Sequence, residues 1–352
     1  MSLEKGNQQY RAAAPVDDVA LASRICSDHW GLEGQLSPLG AELDTIYRLD
    51  TASGTFVLRL SHAALSYEAV DLQLETAAYA AQHVSSLSIA RPIVARTGEL
   101  LIPVELESGE FSHASLSTWV KGSLMVDTER TPAQLRDFGA KLAELNAALA
   151  PFEHPEAEHY MRWDLLRCSD VASCLSAVQV VEDRRLVAAA IERFENHTLP
   201  RLNELPFQII HADATPYNVL VSAHNRNDIS GVIDFGDVVR TARVCDVAIA
   251  ASYLMGQDDR ALDMPALFVG AFHAVRPLQE DEIQLIPYLI EARHAMTAAI
   301  TLEHASRRPE NAKAITKNTR TALLGLRSLS KRPFEFWSDR LHGAISGDLA
   351  HA

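Results

Sequence analysis

The sequence predicts an α+β fold with two lobes, a small antiparallel-sheet lobe followed by a larger, mainly helical lobe. The 352 residues suffice for one large or two ordinary domains. Apolar and polar residues alternate, as in strands, over much of the stretch between about 31 and 120, and helical spacing dominates after about 130. One short β-rich stretch, at 207–235, interrupts the helical part. With 47% hydrophobic and 22% charged residues, the composition is that of a globular protein.

The net charge constrains the partners of the chain. The sequence has 46 acidic and 32 basic residues, a formal net charge of −14. This charge disfavours a nucleic-acid groove and suits a cationic or amino-bearing substrate. Many proteins are equally acidic only for solubility, so both explanations stay open.

Cysteine spacing and hydropathy indicate the compartment. The four cysteines, at 26, 168, 174 and 245, form no CxxC pair, so neither a disulfide framework nor a zinc cluster is indicated. The first residues lack the apolar core of a secretory signal, and no stretch offers the roughly 20 apolar residues that a membrane span needs. We therefore expect a cytoplasmic protein that binds neither membrane nor nucleic acid.

The first lobe is predicted from its periodicities in chain order. Val16–Trp30 has amphipathic helical spacing, and Ser66–His83 has apolar residues near one helical face. Between them, IYRLD and TFVLRL flank a short turn, which is typical of a hairpin. Further strands are predicted in IARPIVAR, LLIPVEL and HASLSTWVKG. We place the boundary near Gly122, which gives a first lobe of 1–122, with a helical extension to about 30, and a second lobe of 123–352.

The second lobe is predicted to be helical around a β-rich insertion. The predicted helices are Pro132–Ala150, with Pro in its first turn, Asp183–Glu195, Met264–Val275 and Glu280–Ser306. The insertion, Phe207–Phe235, contains the short β-rich runs FQIIHAD, YNVLVSA and ISGVIDFGD, with a hairpin predicted over HNRND.

The residues with the clearest chemical meaning lie in this insertion. They are His211-x-Asp213-x-x-x-x-Asn218 and, sixteen residues after Asn218, Asp234-Phe-Gly. Phosphoryl transfer needs an acceptor for the proton of the attacking hydroxyl and oxygen ligands for a metal. Asp213 suits the first role, and Asn218 with Asp234 suits the second, because Mg²⁺ prefers carboxylate and amide oxygens.

Each residue also has a simpler explanation. His211 is grouped with Asp213 in the predicted catalytic loop, but we interpret it as a hydrogen-bonding residue that orients the loop rather than a chemical participant. Asp213 alone is more typical of an Asx turn than of a catalytic site. The combination with Asp234-Phe-Gly at hairpin distance favours a kinase-type site.

These motifs, with their surroundings, resemble a known superfamily. The resembling segments are PLGAELDTIYRLDTASGTFVLRL, FEHPEAEHYMRWDL, IIHADATPYNVLV, GVIDFGDVVRTARVCDVAIAASYLM and VGAFHAVRPLQEDEIQLIPYLIEARHAM. The chain looks like the aminoglycoside phosphotransferase and choline kinase superfamily, and most like its hydroxylysine kinase group. The resemblance covers nearly the whole chain. It implies a protein-kinase-like bilobal fold, an N-terminal nucleotide-binding lobe, ATP or GTP as phosphoryl donor, Mg²⁺, and a hydroxyl acceptor on a small, often amino-bearing molecule.

The same resemblance implies roles for individual residues. Asp213 matches the catalytic aspartate, while Asn218 and Asp234 match the metal ligands. Asp237 matches a second acid in the same turn, and a substrate-binding role and a capping role stay open for it. Asp246 matches an acid that we interpret as structural.

Two positions depart from the pattern of the family. Arg59 stands where the family often has a phosphate-contacting Lys, and we predict that its charge is still used there. Its predicted partner on the following helix is Glu75, with Glu68 as the alternative; an outward-facing Arg59 is the simpler explanation. Ala212 stands where glycine is common, and we expect its backbone not to need a positive φ.

The nucleotide and acceptor sites are predicted more coarsely. The nucleotide phosphates are expected under the turn in PLGAELDTIYRL. The nucleobase is expected near Ser117–Val120, where Trp119 is either a wall of the site or a core residue. Asp237 and Glu291 are candidates for an ammonium group, and Arg293 or His294 for a carboxylate, unless these helix residues form a solvated face. Hydroxylysine or a related hydroxy-amino compound is the first acceptor choice, followed by homoserine, choline-like alcohols and aminoglycosides.

Three rival functions share some of these sequence features. A metal-dependent hydrolase built on His211 and Asp213 lacks an HExxH motif or other histidine-rich spacing. A nucleotide-binding regulatory protein of the same fold is the main alternative. Protein kinase activity is disfavoured, because Val238–Met255 leaves no room for a long activation segment.

Overall fold

A computed structural model describes residues 18–40, 44–105, 109 and 111–345. Among these residues, two larger sheets and one two-stranded pair are surrounded mainly by helices. The strands are β1 (Gly34–Leu39), β2 (Thr45–Thr51), β3 (Gly54–Leu60), β4 (Ser88–Ile89), β5 (Pro92–Ile93), β6 (Ile102–Glu105), β7 (Phe111–Thr118), β8 (Ser123–Leu124), β9 (Phe207–Ile210), β10 (Val219–Val221), β11 (Ile229–Val232) and β12 (Val239–Ala242). 

The α-helices are more numerous after residue 130 than before it. They are α1 (Val19–Ile25), α2 (Tyr67–His83), α3 (Pro132–Ala148), α4 (Val181–Arg193), α5 (Leu199–Leu202), α6 (Val244–Ser252), α7 (Asp263–Val275), α8 (Glu280–Arg307), α9 (Ala312–Ile315), α10 (Thr319–Leu329) and α11 (Phe334–Ile345). Helical turns of other types occur at Cys26–Trp30, Met125–Asp127, Pro155–Glu158, Leu165–Ala177, Phe194–Thr198, Asp258–Arg260 and Pro309–Asn311.

The N-terminal sheet has two faces of different character. Its order is β1-β2-β3-β7-β5, and β6 also pairs with β7. Alternation along β2 and β3 buries Tyr47, Leu49, Leu58 and Leu60, which pack in one cluster with residues of α1. Arg59 points to the opposite face, where it meets α2. The Arg59 side chain therefore lies between the sheet and α2.

Helix α2 connects this sheet to the main core of the molecule. The Ser66 side chain caps its N-terminus by accepting a hydrogen bond from the Ala69 amide. The helix ends at His83, and buried residues along one face, including Leu72, Ala77 and Ala80, join the main core of the molecule. Its position is thus fixed by packing on both sides.

The segment that carries the predicted site residues is built on the second sheet and the two-stranded pair. The second sheet has the order β4-β11-β10-β8, and β9 pairs with β12. Gly122 precedes this sheet with φ 150°, and a Cβ there would lie 2.9 Å from the Val221 carbonyl oxygen. Glycine therefore permits the close approach of β8 to β10.

The long helix α8 lies at the centre of the helical part. It packs against the segment 165–177 and against α6, α10, α11 and α4. Most of its residues are buried, including the charged residues Glu282, Glu291 and Arg293. None of the helices among the described residues combines the length and the apolar character that crossing a bilayer requires.

Most of the predicted elements are confirmed. The hairpin of β2 and β3, helix α2 and the four predicted helices α3, α4, α7 and α8 begin and end within two residues of their predicted ends. The predicted first helix is α1 followed by a π-helical turn to Trp30; its residues 16 and 17 lie outside the described residues. The predicted strand IARPIVAR is wrong as one strand, because Ile89 belongs to β4 and Pro92–Ile93 to β5, in different sheets. The lobe boundary near Gly122 stays a prediction.

Candidate active site

A hairpin brings the two halves of the predicted site together. Strands β10 and β11 are antiparallel, and Val219 pairs with Val232. At the end of this ladder the Ile233 amide donates a hydrogen bond to the Asn218 carbonyl at 2.9 Å. Asn218 and Asp234 therefore lie side by side at one end of the hairpin, next to the loop that carries Asp213.

Asp213 is held by two hydrogen-bond donors. The Asn218 side-chain amide donates to its Oδ2 at 2.6 Å and to its carbonyl oxygen at 3.0 Å. Arg293 Nη2 donates to Oδ1 at 3.3 Å. The side chain is 27% exposed. Desolvation, together with the charges of Asp237 and Asp234, raises the pKa of Asp213, and Arg293 opposes that shift. Asp213 is thus a fixed, partly accessible carboxylate.

Asn218 and Asp234 present oxygen ligands. Because Asn218 donates to Asp213 through its side-chain nitrogen, its side-chain oxygen is left for another partner. Asp234 is exposed and accepts a hydrogen bond from the Gly236 amide at 3.1 Å. Its φ is 65°, a conformation that Asp and Asn adopt more readily than other non-glycine residues. An amide oxygen beside a carboxylate fits Mg²⁺, which prefers hard oxygen ligands.

His211 orients the loop from inside the core. Its side chain is fully buried, and Nδ1 accepts a hydrogen bond from the Asp213 amide at 3.2 Å. Nε2 then carries the proton and donates to the Ile233 carbonyl at 3.2 Å. Burial lowers the pKa of His211, so the ring is neutral. His211 thus ties the backbone of Asp213 to the end of β11 at Ile233, and its role in catalysis stays a prediction.

Asp246, interpreted from the sequence as structural, anchors the same loop. Its Oδ1 accepts a hydrogen bond from the Ala212 amide at 3.0 Å, and its Oδ2 accepts one from the Asn146 side chain at 3.1 Å. The residue is fully buried, and desolvation raises its pKa while the nearby His211 lowers it. The carboxylate therefore fixes the backbone in front of Asp213.

The expectation for Ala212 is wrong. Its φ is 61°, in the left-handed region that glycine adopts without cost. This conformation points the Ala212 amide at Asp246 while the following residue, Asp213, remains bonded to His211. The hydrogen bond to a buried carboxylate offsets the backbone strain.

We expect Ala212→Gly to cost less stability than the same change at Ala214. Both alanines are buried, but Ala214 has no positive φ. Each substitution loses a buried methyl group and gains unfolded-state entropy, whereas only the change at 212 relieves left-handed strain, worth about 1–2 kcal/mol. Urea unfolding of the two variants should show that difference, and equal losses would contradict the strained conformation.

Arg59 binds partners that the sequence did not predict. Its Nε donates to Asp44, and Nη1 donates to the Gln73 side-chain oxygen at 2.7 Å. The predicted helix partner Glu75 and its alternative Glu68 are therefore both wrong. Residues two apart on a helix are about 200° apart around its axis, so Gln73 faces Arg59 and Glu75 cannot. The outward-facing alternative is also wrong, because the Arg59 side chain is largely buried between these partners.

Glu75 instead lies in a group with Asp71 and His154. His154 Nε2 is 3.6 Å from Asp71 and 3.8 Å from Glu75. His154 Nδ1 accepts a hydrogen bond from the Glu156 amide, so in the neutral ring Nε2 carries the proton and donates rather than ligates. The group links α2 to the segment after α3.

The Gln73 side chain connects Arg59 to the turn that carries Asp234. Its side-chain nitrogen donates to the Gly236 carbonyl at 3.0 Å, within the Asp234-Phe-Gly turn. One amide thus touches both Arg59 and the turn that carries Asp234. A neutral amide performs this bridge, and the carboxylate partner of Arg59 comes from Asp44 instead.

The predicted nucleotide contacts Ser117 and Trp119 lie on the Arg59 side of the sheet. Ser117 is opposite Val57, two residues before Arg59, so it shares the face of Arg59. The Arg48 guanidinium lies 4.9 Å from the Trp119 ring centroid. Residues 41–43 of the predicted phosphate turn lie outside the described residues. Within that turn, Asp44 binds Arg59 and the His62 amide.

The predicted acceptor residues on α8 are buried rather than solvated, so the solvated-face alternative is wrong. Glu291 is 3.3 Å from Arg193, and burial raises its pKa to about 7. Arg293 is 3% exposed and donates to Asp213 and to the Trp163 carbonyl. Asp237 lies close enough for its charge to raise the pKa of Asp213. Glu291 is therefore already paired within the helical part, while Arg293 and Asp237 lie at the site.

Sequence reasoning missed several polar residues around these groups. They are Asp44, Arg48, Gln73, Arg130 and Tyr217. Tyr217 lies inside the catalytic motif, one residue before Asn218, and its position was the available signal. The other four became visible only through contacts between elements distant in sequence.

Comparison with known proteins places this geometry in a family context. Residues 35–279 match the phosphotransferase enzyme family (APH). Hydroxylysine kinase from Mus musculus is 24% identical over 94% of this chain and 93% of its own length. Homoserine kinase from Paramagnetospirillum magneticum is 27% identical over 70% of this chain and 73% of its own.

Solved structures share the fold. The amicoumacin kinase hAmiN, solved with AMP-PNP, Ca²⁺ and Ami, has a TM-score of 0.67 at 13% identity and covers 94% of this chain and 98% of its own. A microcompartment-associated aminopropanol kinase has a TM-score of 0.64 at 17% identity and covers 89% of this chain and 98% of its own. These matches confirm the predicted resemblance and the predicted protein-kinase-like α+β fold.

Proposed function

The chain belongs to the phosphotransferase enzyme family, and from this premise we propose that it phosphorylates a hydroxyl group of a small, amino-bearing acceptor. The observation that carries the proposal is the convergence of Asp213, Asn218 and Asp234 at one end of a hairpin. Each of these residues has a simpler explanation alone. Together they supply a base and two oxygen ligands, as phosphoryl transfer requires.

Asp213 is the proposed catalytic base. The acceptor hydroxyl attacks the γ-phosphorus in line, a new P–O bond forms, the bond to the β-phosphate oxygen breaks, and nucleoside diphosphate leaves. Asp213 orients the hydroxyl and accepts its proton. The hydrogen bonds from Asn218 and Arg293 hold both carboxylate oxygens in place, which favours a fixed attack geometry. For Arg293, this contact supports a positioning role, in place of the carboxylate binding first predicted.

Asn218 and Asp234 would hold Mg²⁺ through their side-chain oxygens. The metal, when bound, neutralises charge on the transferring phosphate. Arg59 is the proposed phosphate contact, fixed by Asp44 and Gln73. Ser117 and Trp119 are proposed to lie beside the nucleobase of ATP or GTP, where main-chain groups can hydrogen-bond to its edge.

Hydroxylysine is the first acceptor choice and homoserine the second, supported by the similarity to hydroxylysine kinases and homoserine kinases. Choline-like alcohols and aminoglycosides come after them. Asp237 is the proposed partner of the acceptor's amino group, because its charge lies near Asp213 in a chain with a net charge of −14. A carboxylate near the catalytic base Asp213 suits an ammonium group on the acceptor.

The test is a coupled assay of nucleoside diphosphate release with Mg²⁺, run with ATP and with GTP. The acceptor panel contains hydroxylysine, homoserine, choline, aminopropanol and an aminoglycoside. We expect acceptor-dependent release with at least one hydroxy-amino compound. Nucleotide binding without release for any acceptor would contradict the proposal and favour a regulatory protein of the same fold.

A further inference from the structure

We propose that Arg130 binds the carboxylate of an amino-acid acceptor, in a cavity beside the catalytic loop. The inference rests on the proposed function and adds to it the part of the substrate that lies away from the reacting hydroxyl. Neither the motifs nor the comparisons assign a role to this residue.

The cavity is linked to the proposed base, Asp213, through two of the tyrosines that line it. It has a volume of about 100 Å³, and its walls include Arg130, Tyr217, Tyr253 and His294. Tyr217 belongs to the catalytic loop and directly precedes Asn218. Tyr253 interacts with Arg293, which in turn donates to Asp213. A molecule whose hydroxyl meets Asp213 can therefore extend its other end towards this cavity.

Arg130 is a half-buried cation whose charge has no carboxylate partner in the described part of the chain. Its Nη1 donates to the Tyr253 carbonyl at 2.8 Å. Desolvation lowers the pKa of Arg130, and no nearby carboxylate that the structure describes opposes this shift. Acids outnumber bases by 46 to 32 in the chain, but the adjacent Glu129 pairs with Arg226, and no carboxylate among the described residues forms an ion pair with Arg130. Burying part of an unpaired cation is unfavourable, and an incoming anion would relieve that cost.

Polar side chains elsewhere in the cavity wall offer hydrogen-bond donors. No Asp or Glu lines it among the described residues. The Tyr217 hydroxyl donates to the Asn318 side-chain oxygen at 2.9 Å, which leaves the Asn318 nitrogen as a donor. Lys317 lies over the Tyr217 ring, with its Nζ 4.1 Å from the centroid. The chemistry is that of an anion site rather than an ammonium site.

Arg293 and His294, which the sequence suggested as partners of a substrate carboxylate, fit that role less well. Arg293 is buried and its guanidinium already donates to Asp213 and Trp163. Burial, with the charge of Arg293, lowers the pKa of His294 to about 4, so this ring is neutral near pH 7. The cavity is also small: it suits a carboxylate with one or two carbons rather than an aminoglycoside ring.

The experiment compares two acceptors that differ only by the carboxylate. Hydroxylysine is paired with 1,5-diamino-2-pentanol, or homoserine with 3-amino-1-propanol, according to which amino acid the screen selects. In Arg130→Gln we expect the KM of the amino acid to rise by about 10- to 100-fold, because a charge-assisted hydrogen bond is lost, with kcat nearly unchanged. The KM of the decarboxylated compound should not change.

A matched control is Arg226→Gln, which makes the same change at an exposed Arg paired with the exposed Glu129. Thermal unfolding checks that Arg130→Gln is folded. If it is not, Thr321→Glu decides: Thr321 is exposed, lines the cavity and lies in the first turn of α10, where an acid is favourable. Its new carboxylate should repel the amino acid and spare the decarboxylated compound.

The outcomes separate the two proposals. A selective loss for the amino acid supports a carboxylate site at Arg130. Equal effects on both acceptors, no effect on either, or wild-type turnover of carboxylate-free acceptors alone would overturn the carboxylate site and leave the kinase function standing. No turnover of any acceptor by the wild type would overturn both.

Discussion

Replacing Asp213 by Asn is expected to lower kcat by about 10³-fold, within the range observed for removal of a general base. The substitution keeps the shape of the side chain, and the remaining oxygen can still accept a hydrogen bond from Arg293 or Asn218. The amide cannot accept the hydroxyl proton. Single-turnover measurements at saturating Mg-nucleotide and acceptor would isolate this step.

The affinity for Mg-nucleotide should change little in this variant, because Asp213 is not a proposed metal ligand. Asp127→Asn makes the same charge change at an exposed position and serves as the control. Turnover of Asp213→Asn close to that of the control would remove Asp213 from the catalytic role.

The central motif could be predicted because its residues are close in sequence. Asp213, Asn218 and Asp234 fall within 22 residues, and the strands between them are apolar runs bounded by polar turns. A single antiparallel hairpin therefore suffices to bring them together. Residue type then indicates the chemistry, because few arrangements need a carboxylate and an amide at this spacing next to a second carboxylate.

The partners of Arg59 could not be predicted in the same way. Residue type favours Glu75 as the partner of a cation, but the rotation of α2 about its axis decides which residue faces the sheet. Packing of α2 against the core sets that rotation, and it presents Gln73. The carboxylate that Arg59 contacts comes from Asp44, which directly precedes the neighbouring strand β2. No sequence motif indicates that Asp44 takes the place predicted for Glu75.

The acceptor region was the least predictable part for a related reason. Arg130, Tyr217, His294 and Asn318 come from four segments spread over nearly 190 residues, and none stands in a recognisable pattern. The charged residues of α8 look like a solvated face by composition. Glu282, Glu291 and Arg293 are instead buried. Each has a partner from another element: Arg243 for Glu282, Arg193 for Glu291 and Asp213 for Arg293.

Replacing Asp234 by Asn should weaken Mg-nucleotide binding by at least about 100-fold, while metal-free nucleotide binding stays unchanged. Asn tolerates the positive φ of this position, and its side-chain oxygen can still accept the hydrogen bond from the Gly236 amide. The fold of the turn is therefore preserved, and the change is confined to the charge offered to the metal. Titration calorimetry with and without EDTA measures both affinities.

Asp237→Asn provides the contrast within the same turn. Asp237 is proposed to meet the amino group of the acceptor, so its loss should raise the acceptor KM and leave the Mg²⁺ dependence of nucleotide binding intact. The two substitutions should therefore affect different ligands: Asp234→Asn the Mg-nucleotide, and Asp237→Asn the acceptor. If Asp234→Asn kept the magnesium dependence of the wild type, Asp234 would not be a metal ligand, and the exposed carboxylate beside Asn218 would need another explanation. If Asp237→Asn showed the magnesium effect instead, the roles of the two acids would be exchanged.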